Sequence, residues 1–354
     1  VEIASGTIPV DTIAGIASRH GRRMFMTTGL SFYNEQFPER GIGMFEACAA
    51  AQARGSEVYL QFTCQPLSFD FTLAAAYPFY SHPAFDPIKA YDRDRLKAVF
   101  RDQSFRDGFR ENLRNPRPGT IFQGNWERVI VAAPVKPEHA GLANRSIAEI
   151  ARDGNRDPLD ALLELGLDED LNTGFVGRFL NVVDEGVEPL VKHKAGVVAL
   201  SDAGAHLVYL CDAGFGLYFL GHWVRERGAF DIAEGVRRLT GHQAGLYGIP
   251  DRGRIAAGAC ADLLLFDPVT VGIAAPRRVN DLPAGGRRTL RDPIGVHAVF
   301  VNGVRVFDGA DYVRLKKGPG QVLDRFLPAR AAALASAAKS VSYTHLRAHE
   351  TGRN

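Results

Sequence analysis

Asp202 stands at the end of an apolar run, in the string GVVALSDAGAH at residues 196–206. Residues 196–202 are typical of a buried strand, and chemistry in parallel α/β barrels gathers where the strands end. A carboxylate at such a position can bind a metal or pass a proton to a leaving group. We therefore predict that Asp202 is catalytic and metal-binding. The structural alternative is a helix cap at the turn that follows.

Four further polar residues are predicted to point into the same site, because they lie at or just beyond the ends of predicted strands. These candidate substrate-binding residues are His206, Gln61, Thr63 and Asn181. His206 has the chemistry to relay protons as well. For the other three, a polar group in the wall of the site is the simpler interpretation, and the same holds for Asp184.

Several catalytic motifs are absent from the sequence, namely GxSxG, GxxxxGK[ST], HExxH and a GxGxxG after a strand. Their absence removes the sequence signals of several large enzyme classes. His222 and His242 lie on or near predicted helices beside apolar residues, so we expect structural roles for them. His345 and His349 have a spacing of four residues, but they lie in a stretch without periodicity.

The first two hundred residues alternate strand and helix signals, which favours a parallel sheet with helical crossovers. We predict that roughly five parallel strands form part of a barrel. They cover residues 1–6, 23–32, 57–67, 177–183 and 196–202.

Helix ends have recognisable residues in this sequence. Ser146 with Glu149, and Asp231 with Glu234, have the spacing of capping boxes. Asp11 is predicted to cap the first helix. Asp157 precedes Pro158, the pattern of an N-cap followed by proline at the first helical position, and Gly166 is the predicted stop of that helix.

Three regions interrupt the alternating pattern. Residues 68–143 are rich in aromatic residues and proline, and we predict an inserted excursion with short helices within a barrel domain at residues 1–250. Residues 251–328 favour short antiparallel strands, with a tight turn at Asn302-Gly303. Residues 329–354 are an alanine-rich tail whose end, VSYTHLRAHETGRN, resembles a translated sequencing adapter.

Composition bounds the partners of the protein. The 42 basic and 40 acidic residues give a formal net charge of +2, which offers no electrostatic argument for nucleic acid or an anionic membrane. No apolar run approaches the roughly 20 residues that a spanning helix needs. The four cysteines are widely spaced without a CxxC pair, so we expect free thiols and a cytoplasmic location.

Several segments together resemble the amidohydrolase superfamily, and most closely its N-acyl-D-amino-acid deacylase branch (D-aminoacylase-like, amidohydrolase family 3). They are VVALSDAGAH, LGHWVRERG, EGVRRLTGHQAGLYGI, DRGRIAAGACADLLLFDP and VHAVFVNGVRVFDG. The resemblance extends over roughly Val1 to Pro328. GRIAAGACADLLLFDP is the most specific part, since it resembles the strand on which these enzymes return from the barrel to a small β-sandwich.

The resemblance implies a fold and a chemistry. The expected fold class is α/β, the C-terminal part of a metal-dependent (β/α)8 barrel plus part of a β-sandwich. The expected activity is hydrolysis of the amide bond of N-acyl-D-amino acids by zinc-activated water. The family aspartate that moves the proton from water to the departing nitrogen corresponds to Asp202.

The sequence also departs from the family pattern. No HxH pair is present, and the predicted strands at residues 23–32 and 57–67 lack the metal-binding histidines of the family. Cys211 falls near the position of the arginine that clamps the substrate carboxylate. We therefore expect an incomplete enzyme that begins near the fourth barrel strand, with a metal site that Cys64 and Thr63 complete poorly.

Two other functions remain open from the sequence. A non-catalytic binding or scaffold protein that kept the barrel and lost the metal would explain the missing histidines, although it would not explain Asp202. A metal-free barrel enzyme such as an aldolase would need a lysine at a strand end, and the predicted strand ends offer none.

Overall fold

The computed structural model describes residues 1–4, 8–27, 32–117, 120–199, 213–324 and 326. The strands are β1 (Glu2–Ala4), β2 (Met24–Thr27), β3 (Val58–Phe62), β4 (Leu67–Phe71), β5 (Val129–Ala133), β6 (Gly174–Leu180), β7 (Gly196–Val198), β8 (Leu263–Phe266), β9 (Gly272–Ile273), β10 (Arg277–Leu282), β11 (Gly286–Leu290), β12 (Pro293–Ile294), β13 (Val296–Val301) and β14 (Val304–Phe307). The helices are α1 (Val10–His20), α2 (Pro38–Ala53), α3 (Arg93–Arg101), α4 (Gln103–Arg114), α5 (Ile147–Asp153), α6 (Pro158–Asp168), α7 (Asp184–Lys192), α8 (Phe215–Tyr218), which continues as a π-helix over Phe219–Glu226, α9 (Ile232–Leu239) and α10 (Gly241–Tyr247).

A parallel sheet with the strand order β1-β2-β3-β7 organises the first part of the chain. Successive side chains of a strand point to opposite faces. On one face of this sheet Met26, Leu60 and Phe62 are buried together with residues of the flanking helices. The α/β class predicted from the sequence is confirmed, and the described residues contain four strands in this sheet where we expected about five.

The predicted fourth strand of the barrel is the main correction. Residues 174–180 do form a strand, β6, but it lies between β4 and β5 in a separate antiparallel sheet, here called the excursion sheet. The physical reason is that β6 pairs on both sides with strands of the excursion, where Phe175 stacks on Phe71 and Phe179 on Phe69. A strand signal in a sequence does not identify the strand's neighbours.

Aromatic side chains fill the core behind the excursion sheet. Phe79 is fully buried, and its ring lies 5.1–5.7 Å, between centroids, from those of four other phenylalanines. Those four are Phe71, Phe85, Phe109 and Phe122. This aromatic core explains the phenylalanine and tyrosine content of the excursion, and the short helices predicted there include α3 and α4.

Three predicted helix starts are confirmed. Ser146 and Glu149 form a complete capping box at α5. The Asp157 carboxylate accepts hydrogen bonds from the backbone at the start of α6, and the Asp231 carboxylate accepts one from the backbone N–H of Glu234. Such caps satisfy backbone donors that the first helical turn leaves without partners.

Two helix-end predictions are wrong. Pro9 is the N-cap residue of α1, and Asp11 lies in the first turn, where its carboxylate pairs with Arg54 at 2.6 Å. Gly166 lies inside α6 and does not end it. A Cβ atom at Gly166 would approach the Leu73 side chain to 2.3 Å, so this glycine permits close packing of the helix on the excursion.

The described residues beyond 260 form antiparallel pairs, in the orders β14-β13-β8, β10-β11 and β12-β9. Asn302 and Gly303 connect β13 to β14 with φ values of +46° and +79°, the backbone conformation of a tight hairpin turn. The predicted hairpin is therefore confirmed. The hairpin of β10 and β11 reaches the excursion sheet, where Arg278 pairs with Asp70 at 2.7 Å.

Candidate functional site

The strands β1, β2, β3 and β7 run in the same direction. Their carboxyl ends therefore lie at one edge of the parallel sheet. Chemistry in parallel α/β folds gathers at this edge. Asp202 and His206 come soon after β7 in the chain, but they and Cys211 lie outside the described residues. The site is therefore described from the residues at and beyond the ends of the other strands.

Gln61 takes part in a closed polar network on the face of the parallel sheet opposite the one that carries Leu60 and Phe62. Its amide oxygen accepts a hydrogen bond from the Thr27 hydroxyl at 2.7 Å. Its amide nitrogen donates to Glu2 at 2.9 Å and to the Tyr247 hydroxyl at 2.6 Å. Because both amide N–H groups are engaged, the geometry favours the wall role of Gln61 over direct contact with a substrate.

Tyr247, the last residue of α10, completes this network. Its hydroxyl donates to Glu2 at 2.7 Å, and its ring stacks on Phe25 at a centroid distance of 4.4 Å. Burial, together with the Glu2 carboxylate, raises the pKa of Tyr247, so the phenol stays protonated at neutral pH. Sequence reasoning missed Tyr247, because no local signal links residues so distant in the chain.

Thr63 lies immediately after β3 and is fully buried. Its carbonyl oxygen accepts a hydrogen bond from the Asn181 side chain at 2.9 Å. Its hydroxyl oxygen has no hydrogen-bond partner among the residues that the structure describes. The neighbouring Cys64 contributes its carbonyl oxygen to the Trp223 indole N–H at 2.7 Å, and its thiol donates to the Phe215 carbonyl at 3.4 Å.

Asn181 fastens the loop after β2 to the end of β3. The side-chain oxygen of Asn181 accepts a hydrogen bond from the backbone N–H of Tyr33 at 2.7 Å. The backbone N–H of Asn181 donates to the carbonyl oxygen of Tyr33 at 2.9 Å. Its φ is +55°, a left-handed conformation that asparagine tolerates better than most residues. Both functional ends of the side chain are therefore used in holding Tyr33 and Thr63 together.

His222 bridges two acidic side chains near the same edge. One ring nitrogen lies 2.9 Å from Asp184 and the other 3.1 Å from Glu226, while the Tyr218 ring lies 4.9 Å away between centroids. Burial is the main cause that raises the pKa of Tyr218. The structural role predicted for His222 fits these contacts, which connect the start of α7 to the π-helix. For His242, burial is the main cause that lowers its pKa.

The described residues bring too few metal-ligating side chains together for a catalytic zinc site. A catalytic zinc takes about three protein ligands. Among the described residues, no group of three histidine, cysteine, aspartate or glutamate side chains could hold a metal ion. These residues alone therefore do not fit the metal that the family resemblance implies. Within the same ranges, no helix is both long and apolar enough to cross a membrane.

Comparison with protein families gives a match to the amidohydrolase family over residues 157–307. Three curated relatives from Alcaligenes xylosoxydans xylosoxydans match shorter segments. A D-aminoacylase is 36% identical over 92 residues, which cover 25% of this chain and 16% of the relative. An N-acyl-D-aspartate deacylase is 36% identical over 104 residues (28% and 18%), and an N-acyl-D-glutamate deacylase is 37% identical over 106 residues (30% and 19%).

Solved structures give matches over a larger part of the chain. An N-acyl-D-glutamate deacylase from Bordetella bronchiseptica, complexed with zinc and a phosphonate inhibitor, has 18% identity and a TM-score of 0.46, with 86% of this chain and 52% of that chain covered. A D-aminoacylase has 17% identity and a TM-score of 0.48, with 88% and 54% covered. The present chain thus spans about half the length of these structures.

Proposed function

Since residues 157–307 belong to the amidohydrolase family, in its D-aminoacylase-like branch, we propose that the protein hydrolyses the linear amide bond of an N-acyl-D-amino acid. The observation that carries this proposal is the family match, whose range includes β7 and Asp202. Identities of 36–37% with a D-aminoacylase and two N-acyl-D-amino-acid deacylases support the substrate class.

Asp202 is the proposed proton carrier. Its carboxylate takes a proton from the attacking water and delivers it to the departing nitrogen, so that the products are a carboxylic acid and a free amine. Its position four residues after β7 supports this role, because β7 runs parallel to β3 and ends at the same edge. His206 is proposed to contact the substrate. Gln61 and Asn181 shape the walls of the site through the hydrogen bonds described above.

A divalent metal is proposed for the whole protein, where it would activate the attacking water by lowering its pKa. The described residues do not form a three-ligand site, so its ligands would have to include residues outside them. The proposed architecture is a partial (β/α)8 barrel to about residue 250, with an excursion at 68–143, followed by part of a β-sandwich to about residue 328.

The test is the substitution Asp202→Asn in the product of the complete reading frame. We expect kcat for N-acetyl-D-amino acids to fall by about 10²–10⁴-fold, the range that general acid–base groups contribute, with a smaller change in KM. Asp231→Asn is the matched control, because asparagine also caps helices well and α9 should be unaffected. A kcat within threefold of the unmodified protein would refute the role of Asp202.

The metal proposal has its own measurement. After dialysis, elemental analysis should find well below one equivalent of zinc in the 354-residue chain and about one or more in the product of the complete reading frame. One full equivalent in the 354-residue chain would contradict this expectation. If the complete product neither binds zinc nor hydrolyses any N-acyl-D-amino acid, the non-catalytic scaffold becomes the better interpretation.

A further inference from the structure

The His222 side chain connects two helices through two carboxylates. Its Nε2 atom lies 2.9 Å from the carboxylate of Asp184, the first residue of α7. Its Nδ1 atom lies 3.1 Å from the carboxylate of Glu226, the last residue of the π-helix. Both distances are those of hydrogen bonds. We call Asp184, His222 and Glu226 the histidine clamp.

Both contacts of the histidine clamp are complete only while His222 carries a proton on each ring nitrogen. An ionised carboxylate only accepts hydrogen bonds, whereas a neutral imidazole has one donor and one acceptor nitrogen. In the neutral ring, one nitrogen lone pair would therefore face a carboxylate oxygen and repel it. Hydrogen bonds from Arg225 and from His222 hold the pKa of Glu226 below its usual value, so Glu226 is ionised at neutral pH.

Other charged or titratable groups surround the histidine clamp. They are Glu185 and Glu188 on α7, Arg225 and Arg227 on or next to the π-helix, and Tyr218 with Cys64 and Arg291 near its ring. Arginine stays charged between pH 5 and 8, and carboxylates ordinarily lose their charge only below this range. Histidine is the side chain that ordinarily changes charge within it. A pH response of the clamp in this range therefore comes from His222, whose side chain is 20% exposed and can exchange protons with solvent.

The two segments that the clamp connects also hold the chain just beyond β3. Thr63 and Cys64 are the two residues that follow this strand. Asn181, three residues before the start of α7, donates to the Thr63 carbonyl at 2.9 Å. Trp223, the residue after His222, donates its indole N–H to the Cys64 carbonyl at 2.7 Å. The histidine clamp therefore links the supports of two consecutive carbonyl groups at the carboxyl end of β3.

Contacts from its residues hold the π-helix in place on two sides. Such helices are rare and mostly occur as single turns, frequently at functional sites, whereas this one runs over eight residues. On one side, Gly221 packs so closely that a Cβ atom there would lie 2.6 Å from the carbonyl of Val271, the residue before β9. On the side of α7, the histidine clamp makes the contact. Weakening the clamp should therefore loosen the π-helix on that side.

We propose that the histidine clamp is a proton-dependent device that fixes the π-helix to α7 and thereby fixes the chain beyond β3. On the acid side of the histidine titration, the ring carries both protons and both contacts hold. As the pH rises, the ring loses one proton and one contact becomes repulsive. The hydrogen bond from Trp223 to Cys64 then opens more often. This inference is independent of the proposed function, because it concerns no substrate.

The indole N–H of Trp223 reports on the clamp in the 354-residue chain. The chain has two tryptophans, so NMR separates their indole signals readily. We expect the protection of the Trp223 indole N–H against hydrogen exchange, corrected for the intrinsic effect of pH, to fall about fivefold as the pH rises from 5 to 8. His20→Gln is the matched control, since it removes an exposed histidine at the end of α1, and it should keep this pH dependence.

Two variants separate the proton-dependent clamp from a merely structural histidine. His222→Gln should give low protection of Trp223 that no longer depends on pH. Glu226→Gln should keep Trp223 protected at both pH values, because a carboxamide can donate to the bare nitrogen of a neutral imidazole or accept from a protonated one. Protection that does not change with pH in the unmodified protein would overturn the clamp. A pH dependence that persists in either variant, with a native circular dichroism spectrum, would overturn it as well.

Discussion

The parallel sheet and the excursion sheet use their two faces differently. In the parallel sheet, one face is apolar, while the other carries the hydrogen-bonded Glu2, Thr27 and Gln61. In the excursion sheet, alternate residues of β4 and β6 point into an aromatic core, and Phe175 and Phe179 belong to that core. The difference suggests that the excursion mainly contributes stability, whereas the parallel sheet presents polar groups where chemistry is expected.

The largest expected effect tests the aromatic core. Phe79→Ala should lower the free energy of unfolding by about 3–5 kcal/mol, because it removes a fully buried ring and leaves a cavity among four phenylalanines. Urea denaturation followed by circular dichroism measures the loss. A decrease below 1 kcal/mol would show that the excursion is not the stabilising region that the comparison implies.

The second-largest effect on stability is expected at Glu169, a buried carboxylate that accepts hydrogen bonds from the backbone of the excursion. Burial by itself would raise the pKa of Glu169, but hydrogen bonds from the backbone of Lys136 and Val135, from Thr173 and from His139 outweigh it and hold the pKa below its usual value. Removing the charge breaks several strong hydrogen bonds, so Glu169→Gln should cost about 2–3 kcal/mol at pH 7.

The sign of the pH dependence follows from the lowered pKa of Glu169. Its stabilisation is fully present above the pKa of the unfolded chain and is lost as the pH falls through the lower, folded pKa. Unfolding curves from pH 7 down to pH 3 should therefore show the difference between the unmodified protein and Glu169→Gln shrink on acidification. A difference that stays constant over this range would contradict the assignment.

The third prediction concerns the link between the two sheets. Asn181→Ala should cost about 2 kcal/mol, because it leaves Tyr33 N–H without its acceptor and places alanine at a φ of +55°. Asn181→Gly is the matched variant, since glycine accepts this φ and loses only the side-chain hydrogen bonds. We expect it to cost about half as much. Equal losses would indicate that the backbone conformation contributes nothing.

The smallest expected effect tests the polar face of the parallel sheet. Gln61→Met keeps the side-chain volume but removes its contacts with Thr27, Glu2 and Tyr247, while the hydrogen bond from Tyr247 to Glu2 remains. We expect a loss of about 1 kcal/mol, typical of net hydrogen-bond contributions. A loss as large as that of Phe79→Ala would mean that the polar face of the parallel sheet stabilises the protein as much as the aromatic core of the excursion does.

Local patterns in the sequence determined much of the secondary structure. The strands at β2, β3 and β7, the capping box of Ser146 and Glu149, and the turn at Asn302-Gly303 all follow from residue types a few positions apart. Such features depend on backbone geometry and on hydrogen bonds within a short segment, so a short segment suffices to predict them. The candidate residues Gln61, Thr63 and Asn181 were likewise found from their places at or beyond strand ends.

Tertiary structure alone decided which strands pair and which side chains meet. β6 has the local pattern of a strand in any sheet, and its antiparallel partners became apparent only from the packing of Phe175 and Phe179. Tyr247 meets Gln61 across 186 positions of the chain, and Asn181 meets Thr63 across 118. Contacts between residues so far apart depend on how the intervening elements pack, and a short-range pattern carries no information about that packing.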